Sequence, residues 1–348
     1  MSSNCAMFYH SLEFLRFISS FIEARPLVIL CREESRLVGA LPVFIKRNAK
    51  FGAVLNSLPF FGSHGGALVM EDLAESAARQ VRESLIQHLT KEVWRAEDIS
   101  FATIITSPYE KDLRAYENAG PRYIERRLTQ MVTMPQEATE SEIARTFEKR
   151  CRWAIKVATE EHVLVRVMDS FEKVAIDEIY GMHLENAAKI GAVPKPWAFF
   201  EHLTSFFVIH RDFDIYLAEH AGRLIAALLV FYFKGFVEYY MPVVKPEYRS
   251  LNPTNLLILK AMTKAVSRRL TIWNFGGTGK AMKGVYLFKR SFGSGDYEYH
   301  CLTYGLSDSN SELLHLTPQE LRNAYEWFYV IPYAALSSNT EEIAEGHA

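Results

Sequence analysis

The spacing of the hydrophobic residues differs from one segment of this chain to the next. Apolar residues at four-residue spacing predict one face of a helix over 73–95, whereas 99–106 is rich in apolar and β-branched residues and predicts a buried strand. Extended over 1–138, the pattern predicts the order helix, three strands, helix, strand, helix, strand. Such an order is typical of an α/β fold in which helices flank a mixed sheet.

After a helix predicted over 141–161, with Ser141 as its cap, the same order of elements begins again. A strand, two helices, a three-strand meander, a helix, a strand, a short helix and a closing strand are predicted over 163–168, 171–190, 197–210, 214–219, 224–233, 236–243, 253–270, 271–275, 285–291 and 297–304. No residue-level repeat accompanies this order, so a duplicated fold with diverged sequence is the simplest interpretation.

The repeated order predicts two domains in tandem. We expect an N-terminal domain over 1–138, a hinge helix over 139–161, and a C-terminal domain over 162–336. A last helix is predicted over 318–330, and the polar tail 337–348 is predicted to be disordered.

Composition suggests a location but no chemistry. Of the 348 residues, 49% are hydrophobic and 23% charged, which is ordinary for a soluble globular protein. The longest apolar run, 224–233, is far short of the roughly 20 residues that span a bilayer, and the N-terminus lacks the pattern of a signal peptide. Four scattered cysteines without a Cys-x-x-Cys pair argue against a zinc site or a disulfide framework. We therefore expect a cytoplasmic protein without a bound metal.

The net charge of −2 conceals an uneven distribution of basic residues. Ten Lys or Arg and one acidic residue lie between Tyr239 and Arg290, a local net charge of +9. A field of this sign attracts phosphates and other anions. The alternative is a solvated helix face, because Lys260, Lys264 and Arg268 are spaced four residues apart.

The stretch 273–293, WNFGGTGKAMKGVYLFKRSFG, concentrates the candidate chemistry. A predicted strand ends at Gly276, Gly277 and Gly279, where the absence of side chains lets a ligand approach the backbone. Lys280 and Lys283 follow directly. A loop of this kind suits an anionic or acyl ligand, and a tight strand-to-helix turn with solvated lysines is the alternative.

The order of meander, helix, strand, short helix and strand is that of the acyl-CoA N-acetyltransferase (GNAT) fold. Two such halves in one chain resemble the Fem-type peptidyltransferases and the related tandem-GNAT acyltransferases found with polysaccharide genes. The residues that carry the resemblance are Arg152, Ile155 and Lys156 of the hinge helix, Tyr240, the segment 253–257, the pairs Phe275–Gly276, Phe288–Lys289 and Phe292–Gly293 with Gly284, and, in the first half, Leu58, Pro59 and Phe60 with Gly65 and Gly66.

The chain also departs from the family pattern. GNAT enzymes hold the CoA pyrophosphate in a Gln/Arg-x-x-Gly-x-Gly/Ala loop at a helix N-terminus, whereas 249–255 here is RSLNPTN, without glycine. Asn274 stands where the family has Asp, and Lys189 replaces an arginine, which keeps the charge but loses bidentate geometry. The long helical hairpin thought to assist tRNA binding in Fem enzymes is missing.

The resemblance implies that the N-terminal domain over 1–138 lies on the acceptor side of a transfer reaction and the C-terminal domain over 162–336 on the donor side. It also implies roles for individual residues. Lys289 would face the acyl donor and stabilise an oxyanion or leaving group. Either Tyr239 or Tyr240 would act beside it, because neighbours on a strand point to opposite faces. Further donor-binding positions are predicted at Phe288, Asn255, Arg249, Gly276, Gly277, Lys280 and Lys283. Acceptor-binding positions are predicted at His64, Gly65, Gly66, Arg152, Lys156 and Lys189. The alternatives are a surface lysine at 289, a helix cap at Asn255 and a solvated loop histidine at 64.

The sequence therefore predicts an N-acyltransferase or aminoacyltransferase acting on an amine of a cell-envelope precursor or amino sugar. The co-substrate is predicted to be acyl-CoA or aminoacyl-tRNA, with no tightly bound cofactor. The expected partners are a small-molecule or lipid-linked precursor and tRNA, while peripheral membrane contact and the oligomeric state stay open. The alternative is a catalytically idle tandem-GNAT module that binds anionic glycan or nucleic acid through its basic patch. Hydrolase, P-loop and Rossmann motifs do not occur.

Overall fold

The computed structural model describes residues 3–189, 191–279, 282–305 and 312–332. Its strands are β1 Arg25–Glu33, β2 Arg36–Asn48, β3 Gly52–Asn56, β4 Leu68–Val69, β5 Ile99–Ile105, β6 Tyr123–Thr133, β7 Leu164–Val167, β8 Phe213–His220, β9 Arg223–Phe233, β10 Phe236–Val244, β11 Ile272–Thr278 and β12 Gly295–Gly305. Its helices are α1 Leu12–Ser19, α2 Glu75–His88, α3 Trp94–Glu97, α4 Arg114–Glu117, α5 Glu140–Arg145, α6 Lys149–Glu160, α7 Lys173–Lys189, α8 Trp197–Phe206, α9 Pro253–Ser267, α10 Lys283–Arg290 and α11 Pro318–Ala324. The predicted mixed α/β fold is confirmed.

The chain folds as two compact units. The first comprises the described residues of Met1–Leu128 and Glu298–Gly346, and the second those of Thr129–Tyr297. This division differs from the expected domain ends, because β12 pairs antiparallel with β5 from Cys301↔Ile105 to Gly305↔Phe101. The chain beyond Glu298 therefore belongs with the first unit. The tail predicted to be disordered, 337–348, lies outside the described residues.

The first unit is built on the strand order β1-β2-β3-β5-β12. Strands β1, β2 and β3 form an antiparallel meander, and β3 then runs parallel to β5. Helix α2 buries the predicted apolar stripe, including Val81 and Leu85, against this sheet. The approach is close at Gly39 on β2, where an added Cβ would lie 2.4 Å from Val81 Cγ1.

The second unit has the strand order β11-β10-β9-β8-β7. Its meander, β8 to β10, is antiparallel, and β10 is parallel to β11. Helix α9 contributes most of its residues to the core, where it packs with α6 and with β8 and β9. Both units therefore contain a meander followed by a parallel strand pair, as the duplicated order predicts. None of the described helices is long and apolar enough to cross a membrane.

The single hinge helix predicted over 141–161 is wrong, because two helices occupy this segment. Helix α5 ends where the Thr146 hydroxyl donates to the carbonyl of Ile143 (2.8 Å), and α6 begins after Glu148, which is extended. Between them Phe147 is buried against Phe292, with ring centroids 5.1 Å apart. Burial of this aromatic ring accounts for the break. The cap of α5 is Thr139, in a capping box with Glu142, and not the predicted Ser141.

Candidate active site

Strands β10 and β11 pair over only three positions before they part. The pairs run from Phe236↔Ile272 to Glu238↔Asn274, and no further pair joins the described residues of the two strands. Immediately beyond, Tyr240 forms a β-bulge, because Tyr239 and Met241 oppose consecutive residues of β9. The strands thus separate at their C-terminal ends, and we call this place the β10–β11 gap, bounded by β10 from Tyr239 and by β11 from Phe275.

Lys289 of α10 reaches the end of β11 and is almost fully buried, with 5% of its surface exposed. Its ammonium donates to the carbonyls of Gly276 (3.2 Å) and Gly277 (2.7 Å) and to Thr278 Oγ1 (2.9 Å). Gly276 adopts a positive φ of 72°, which favours glycine and turns its carbonyl away from the strand direction. The alternative of a solvated surface lysine is therefore wrong, whereas the role of Lys289 toward an acyl donor stays a prediction.

Burial lowers the pKa of Lys289 to about 8. No carboxylate of the described residues forms an ion pair with it, and its contacts are neutral oxygens. An uncompensated buried charge is costly, so the site favours either loss of the proton or the arrival of negative charge. This is the electrostatic condition that a developing oxyanion would satisfy.

A polar side chain from a neighbouring strand supports the Lys289 contacts. Thr278 Oγ1, which accepts from Lys289, donates to Gln130 Oε1 on β6 at 2.9 Å. The Gln130 amide in turn donates to the carbonyl of Tyr286 on α10 at 3.2 Å. Gln130 was not predicted from the sequence, since a lone glutamine near the end of a strand gives no local signal of this role.

Tyr239 and Tyr240 occupy opposite faces of β10, as predicted. The ring of Tyr239 lies 5.2 Å from that of Phe275, between centroids, on the side of the α9 core. Tyr240 instead stacks parallel to Phe199 of α8, at 5.6 Å, and meets the edge of Phe231. Burial raises the pKa of both phenols, so each stays protonated and able to donate a hydrogen bond.

Lys195, which the sequence analysis missed, lies on the Tyr240 face. Its Nζ is 5.1 Å from the centroid of the Tyr240 ring and 5.9 Å from that of Phe199, and no carboxylate of the described residues forms an ion pair with it. Burial lowers its pKa to about 8. The backbone N–H of Lys195 donates to His183 Nε2 at 2.8 Å, which fixes the loop. The signal available in the sequence was a lysine between two prolines, Pro194 and Pro196, directly before an aromatic helix.

The remaining predicted donor positions are distributed around α9 and α10. Asn255 is buried in α9 and directs its amide to Cys151 Sγ at 3.5 Å, and the helix cap is Asn252, so the cap alternative for Asn255 is wrong. Phe288 packs edge-on against Phe292, at 5.2 Å, as part of the core. Arg249 is exposed in a 3₁₀ turn and donates to Asn186 Oδ1 at 3.4 Å.

Two lysines, Lys280 and Lys283, follow the glycines in the sequence, and the structure describes only the second of them. Lys283 begins α10 and is exposed, whereas Lys280 lies outside the described residues. Gly277 is only half-buried and supplies the shorter of the two carbonyl contacts to Lys289. The structure therefore brings the predicted catalytic residue Lys289 together with two predicted donor positions, Gly276 and Gly277. Tyr239 and Tyr240 lie on the neighbouring strand, on opposite faces of it.

The predicted acceptor loop of the first unit is packed into that unit. His64 has no exposed surface, and its ring meets the Tyr299 ring edge-on at 4.7 Å. The N–H of Gly65 donates to the carbonyl of Ile105 at 3.1 Å, and an added Cβ at Gly66 would lie 3.1 Å from the same oxygen. The alternative of a solvated loop histidine is thus wrong, and these three positions have a packing role in the structure.

The predicted cations of the second unit are exposed rather than gathered in one site. Arg152 donates to the carbonyl of Phe147, and Lys156 pairs with Glu160 one turn further along α6 at 3.5 Å. Lys189 is exposed at the end of α7. The basic patch is also partly neutralised by ion pairs of 2.8–2.9 Å, which are Lys245–Glu178, Lys260–Glu140 and Lys264–Asp214.

No group of His, Cys, Asp and Glu among the described residues could hold a metal ion. The polar groups around the β10–β11 gap are lysines, phenols, amides, backbone carbonyls and the carboxyl group of Glu238.

Comparison with known proteins agrees with the fold. Residues 141–299 match the model of an acetyltransferase (GNAT) domain. A crystal structure of FemX is similar over 90% of this chain and 96% of its own, with a TM-score of 0.67 and 14% identity. The structure of L-PGS from Bacillus licheniformis covers 89% of this chain and 92% of its own, with a TM-score of 0.52 and 11% identity. A tandem GNAT protein from the clavulanic acid biosynthesis pathway covers 82% and 85%, with a TM-score of 0.50 and 14% identity. No curated protein matches the sequence significantly.

The GNAT domain match covers the β10–β11 gap and Lys289. The chain therefore contains a GNAT acetyltransferase domain over residues 141–299, and the predicted resemblance to the Fem-type tandem-GNAT proteins is confirmed at the level of the fold.

Proposed function

We propose that this protein moves an acyl or aminoacyl group onto an amine of a cell-envelope precursor or amino sugar. The observation that carries the proposal is the placement of Lys289, a buried cation held at the glycine carbonyls where β11 separates from β10. In a GNAT-type reaction the acyl carbonyl lies between such separated strands, where a fixed positive charge acts on the atom that becomes negative.

The reaction begins when the neutral amine nitrogen attacks the acyl carbonyl carbon. The carbonyl oxygen gains charge, and the tetrahedral intermediate then expels the thiolate of CoA or the ribose oxygen of tRNA, which takes up the proton lost by the amine. All three N–H bonds of Lys289 are engaged in the free site, so the oxyanion replaces one of them. Thr278 is the partner we expect to exchange, because it alone is a side chain and can turn away.

Lys195 supports an acceptor that carries an anionic group. A cation beside two aromatic rings, without a carboxylate among the described residues to neutralise it, favours a phosphate or carboxylate ligand. Nucleotide-linked and lipid-linked envelope precursors carry such groups, whereas a plain amino sugar does not. FemX and L-PGS share the fold, which is compatible with a precursor of this class.

The start of α9 bears on the choice of donor. Pro253, the first residue of the helix, has no N–H, and the N–H of Asn255 donates to the carbonyl of Asn252 at 3.1 Å. Fewer backbone N–H groups are therefore available for a CoA pyrophosphate than in a glycine-rich loop. This favours aminoacyl-tRNA or an acyl-CoA held mainly through its pantetheine and acyl parts.

The experiment presents both donors to a panel of acceptors. Purified protein is incubated with radiolabelled acetyl-CoA or with aminoacyl-tRNA, together with amino sugars, nucleotide-linked precursors or lipid-linked precursors in vesicles. We expect label to appear on an anionic acceptor, and the arm that succeeds identifies the donor. Transfer to lipid-linked precursors alone would support peripheral contact at the cytoplasmic face of the membrane. Failure of every arm would refute the enzymatic proposal for these substrate classes.

The second candidate is an idle module that binds glycan or nucleic acid through its basic patch. The ion pairs of Lys245, Lys260 and Lys264 reduce the free charge of that patch and disfavour this alternative. Salt-sensitive binding to a polyanion that survives Lys289→Ala, in the absence of any transfer, would favour it.

A further inference from the structure

A buried polar pair closes the strand contact just before the β10–β11 gap. Asn274 on β11 and Glu238 on β10 are opposite each other at the last paired position, and no more than 1% of either residue is exposed. The Asn274 amide nitrogen donates to Glu238 Oε2 at 2.7 Å. Both polar groups are therefore placed where the two strands begin to separate.

The oxygen of the same amide serves two further partners. Asn274 Oδ1 accepts from the hydroxyl of Thr129 on β6 at 3.0 Å and from the N–H of Gly276 at 2.9 Å. One side chain thus joins three strands and holds Gly276 from its N–H side, while Lys289 holds the carbonyl of Gly276 from the other side. The backbone of Gly276, which has a positive φ, is therefore held by hydrogen bonds at both its N–H and its carbonyl.

The pair requires one amide and one acid in complementary orientation. An asparagine can turn either its oxygen or its nitrogen toward Gly276, and only the oxygen accepts from an N–H. The carboxylate of Glu238 selects this orientation, because it accepts a hydrogen bond and attracts the amide nitrogen. If residue 274 were acidic, two carboxylates would meet at this distance, and they could coexist only by sharing a proton.

We propose that Glu238 and Asn274 are a positioning pair: the Glu238 carboxylate orients the Asn274 amide, which fixes the Gly276 bend that presents two carbonyls to Lys289. The acidic residue of the pair lies on β10, although the resemblance led us to expect an acid at position 274 on β11. Its catalytic consequence rests on the proposed acyl transfer, whereas its structural consequence does not.

The test exchanges the acid and the amide between the two strands. The variants are Asn274→Asp, Glu238→Gln and the double variant Glu238→Gln/Asn274→Asp, with Asn118→Asp, an exposed asparagine in the first unit, as the control for an added charge. Thermal unfolding of each full-length protein is measured between pH 5 and pH 8.5. This readout needs no substrate.

We expect Asn274→Asp alone to lose stability progressively as pH rises. Two adjacent carboxylates retain a shared proton in the folded protein to a higher pH than in the unfolded chain, so the folded state is favoured at low pH and loses that advantage as the proton leaves. In the double variant, the new amide on β10 donates to the new carboxylate on β11, which also accepts from Thr129 and Gly276. This variant should recover most of the lost melting temperature at pH 8.5, while Asn118→Asp should show no comparable trend.

Transfer kinetics supply the second readout. Misplacement of Gly276 should lower kcat of Asn274→Asp by about tenfold or more with little change in KM, since small displacements of catalytic groups cost rate rather than binding. The double variant should regain most of kcat. A double variant no more stable at pH 8.5 than Asn274→Asp would overturn the pair. If the stability cycle behaves as expected but wild-type protein transfers nothing, the proposed function fails and the structural pairing stands.

Discussion

The parallel strand pairs β3–β5 of the first unit and β10–β11 of the second differ in the contacts beyond their last paired residues. In the first unit, hydrogen bonds continue past the end of β3. The N–H of Ser57 donates to the carbonyl of Thr103 and the N–H of Ile105 donates to Ser57 Oγ, both at 2.9 Å, while Gly65 N–H donates to the carbonyl of Ile105 at 3.1 Å. The gap between these strands is therefore closed by a serine and a glycine loop.

In the second unit, the backbone pairing of the described residues of β10 and β11 ends at Glu238 and Asn274. The carbonyls of Gly276 and Gly277 at this end of β11 accept hydrogen bonds from Lys289. The same order of elements thus yields a sealed strand pair in one unit and an open one in the other. We infer that the chemistry resides in the second unit and that the glycine loop of the first unit is structural.

The largest effect should follow the removal of the Lys289 charge. Lys289→Met keeps the apolar stem but removes the cation at the carbonyls, and we expect kcat to fall about 100- to 1000-fold, the range seen when an oxyanion donor is lost. The measurement is single-turnover transfer to the acceptor found in the substrate panel. Lys234→Met, an exposed lysine in the β9–β10 turn, is the matched control. An unchanged kcat in Lys289→Met would contradict the assignment of catalysis to the open strand pair.

A smaller and different effect is expected at Lys195. Lys195→Met should raise KM for an anionic acceptor about tenfold, because a charge-assisted contact worth about 1.4 kcal/mol or more is lost. The value of kcat should change little. Lys195→Arg should recover much of the affinity, and an uncharged acceptor should show no difference among the three proteins. A loss confined to kcat would show instead that Lys195 acts on the reacting atoms.

The pH dependence of transfer separates the two lysines. Burial lowers the pKa of Lys289 to about 8. If its charged form is the active one, kcat falls as pH rises through this value, because the cation is lost. A kcat that rises through the same range would mean that the neutral amine is active. Lys289→Arg should move the descending limb to higher pH, whereas Lys195→Arg should leave the limb of kcat in place.

The smallest effect on transfer should come from the sealed pair of the first unit. Ser57→Ala leaves the buried N–H of Ile105 without its acceptor, which should cost about 1–3 kcal/mol in the free energy of unfolding. We expect kcat and KM to remain near those of the wild type. Denaturant unfolding is compared with that of Ser84→Ala, an exposed helical serine whose loss should cost less than about 0.5 kcal/mol. A change in acceptor KM on Ser57→Ala would restore the first unit as a ligand site.

The sequence predicted the helices and strands better than the points at which they are interrupted or change partners. The meanders, α9 and the strand–helix–strand order around α10 follow from periodicity and glycine positions, which are local properties. The break between α5 and α6 was missed because its cause is the burial of Phe147 against Phe292, a contact between distant parts of the chain. The assignment of β12 to the first unit was missed for the same reason, since its pairing with β5 leaves no mark on β12 itself.

Within the site, the sequence by itself singled out Lys289 as the main candidate and predicted that the two tyrosines of β10 point to opposite faces. Lys289 and Gly276 are only 13 residues apart, so their contact is nearly local. Only the tertiary structure decided which strand carries the acid, that Lys195 accompanies Tyr240, and that the first glycine loop is filled. Glu238 and Asn274 are 36 residues apart and meet through strand register, which depends on the packing of the whole sheet rather than on either segment.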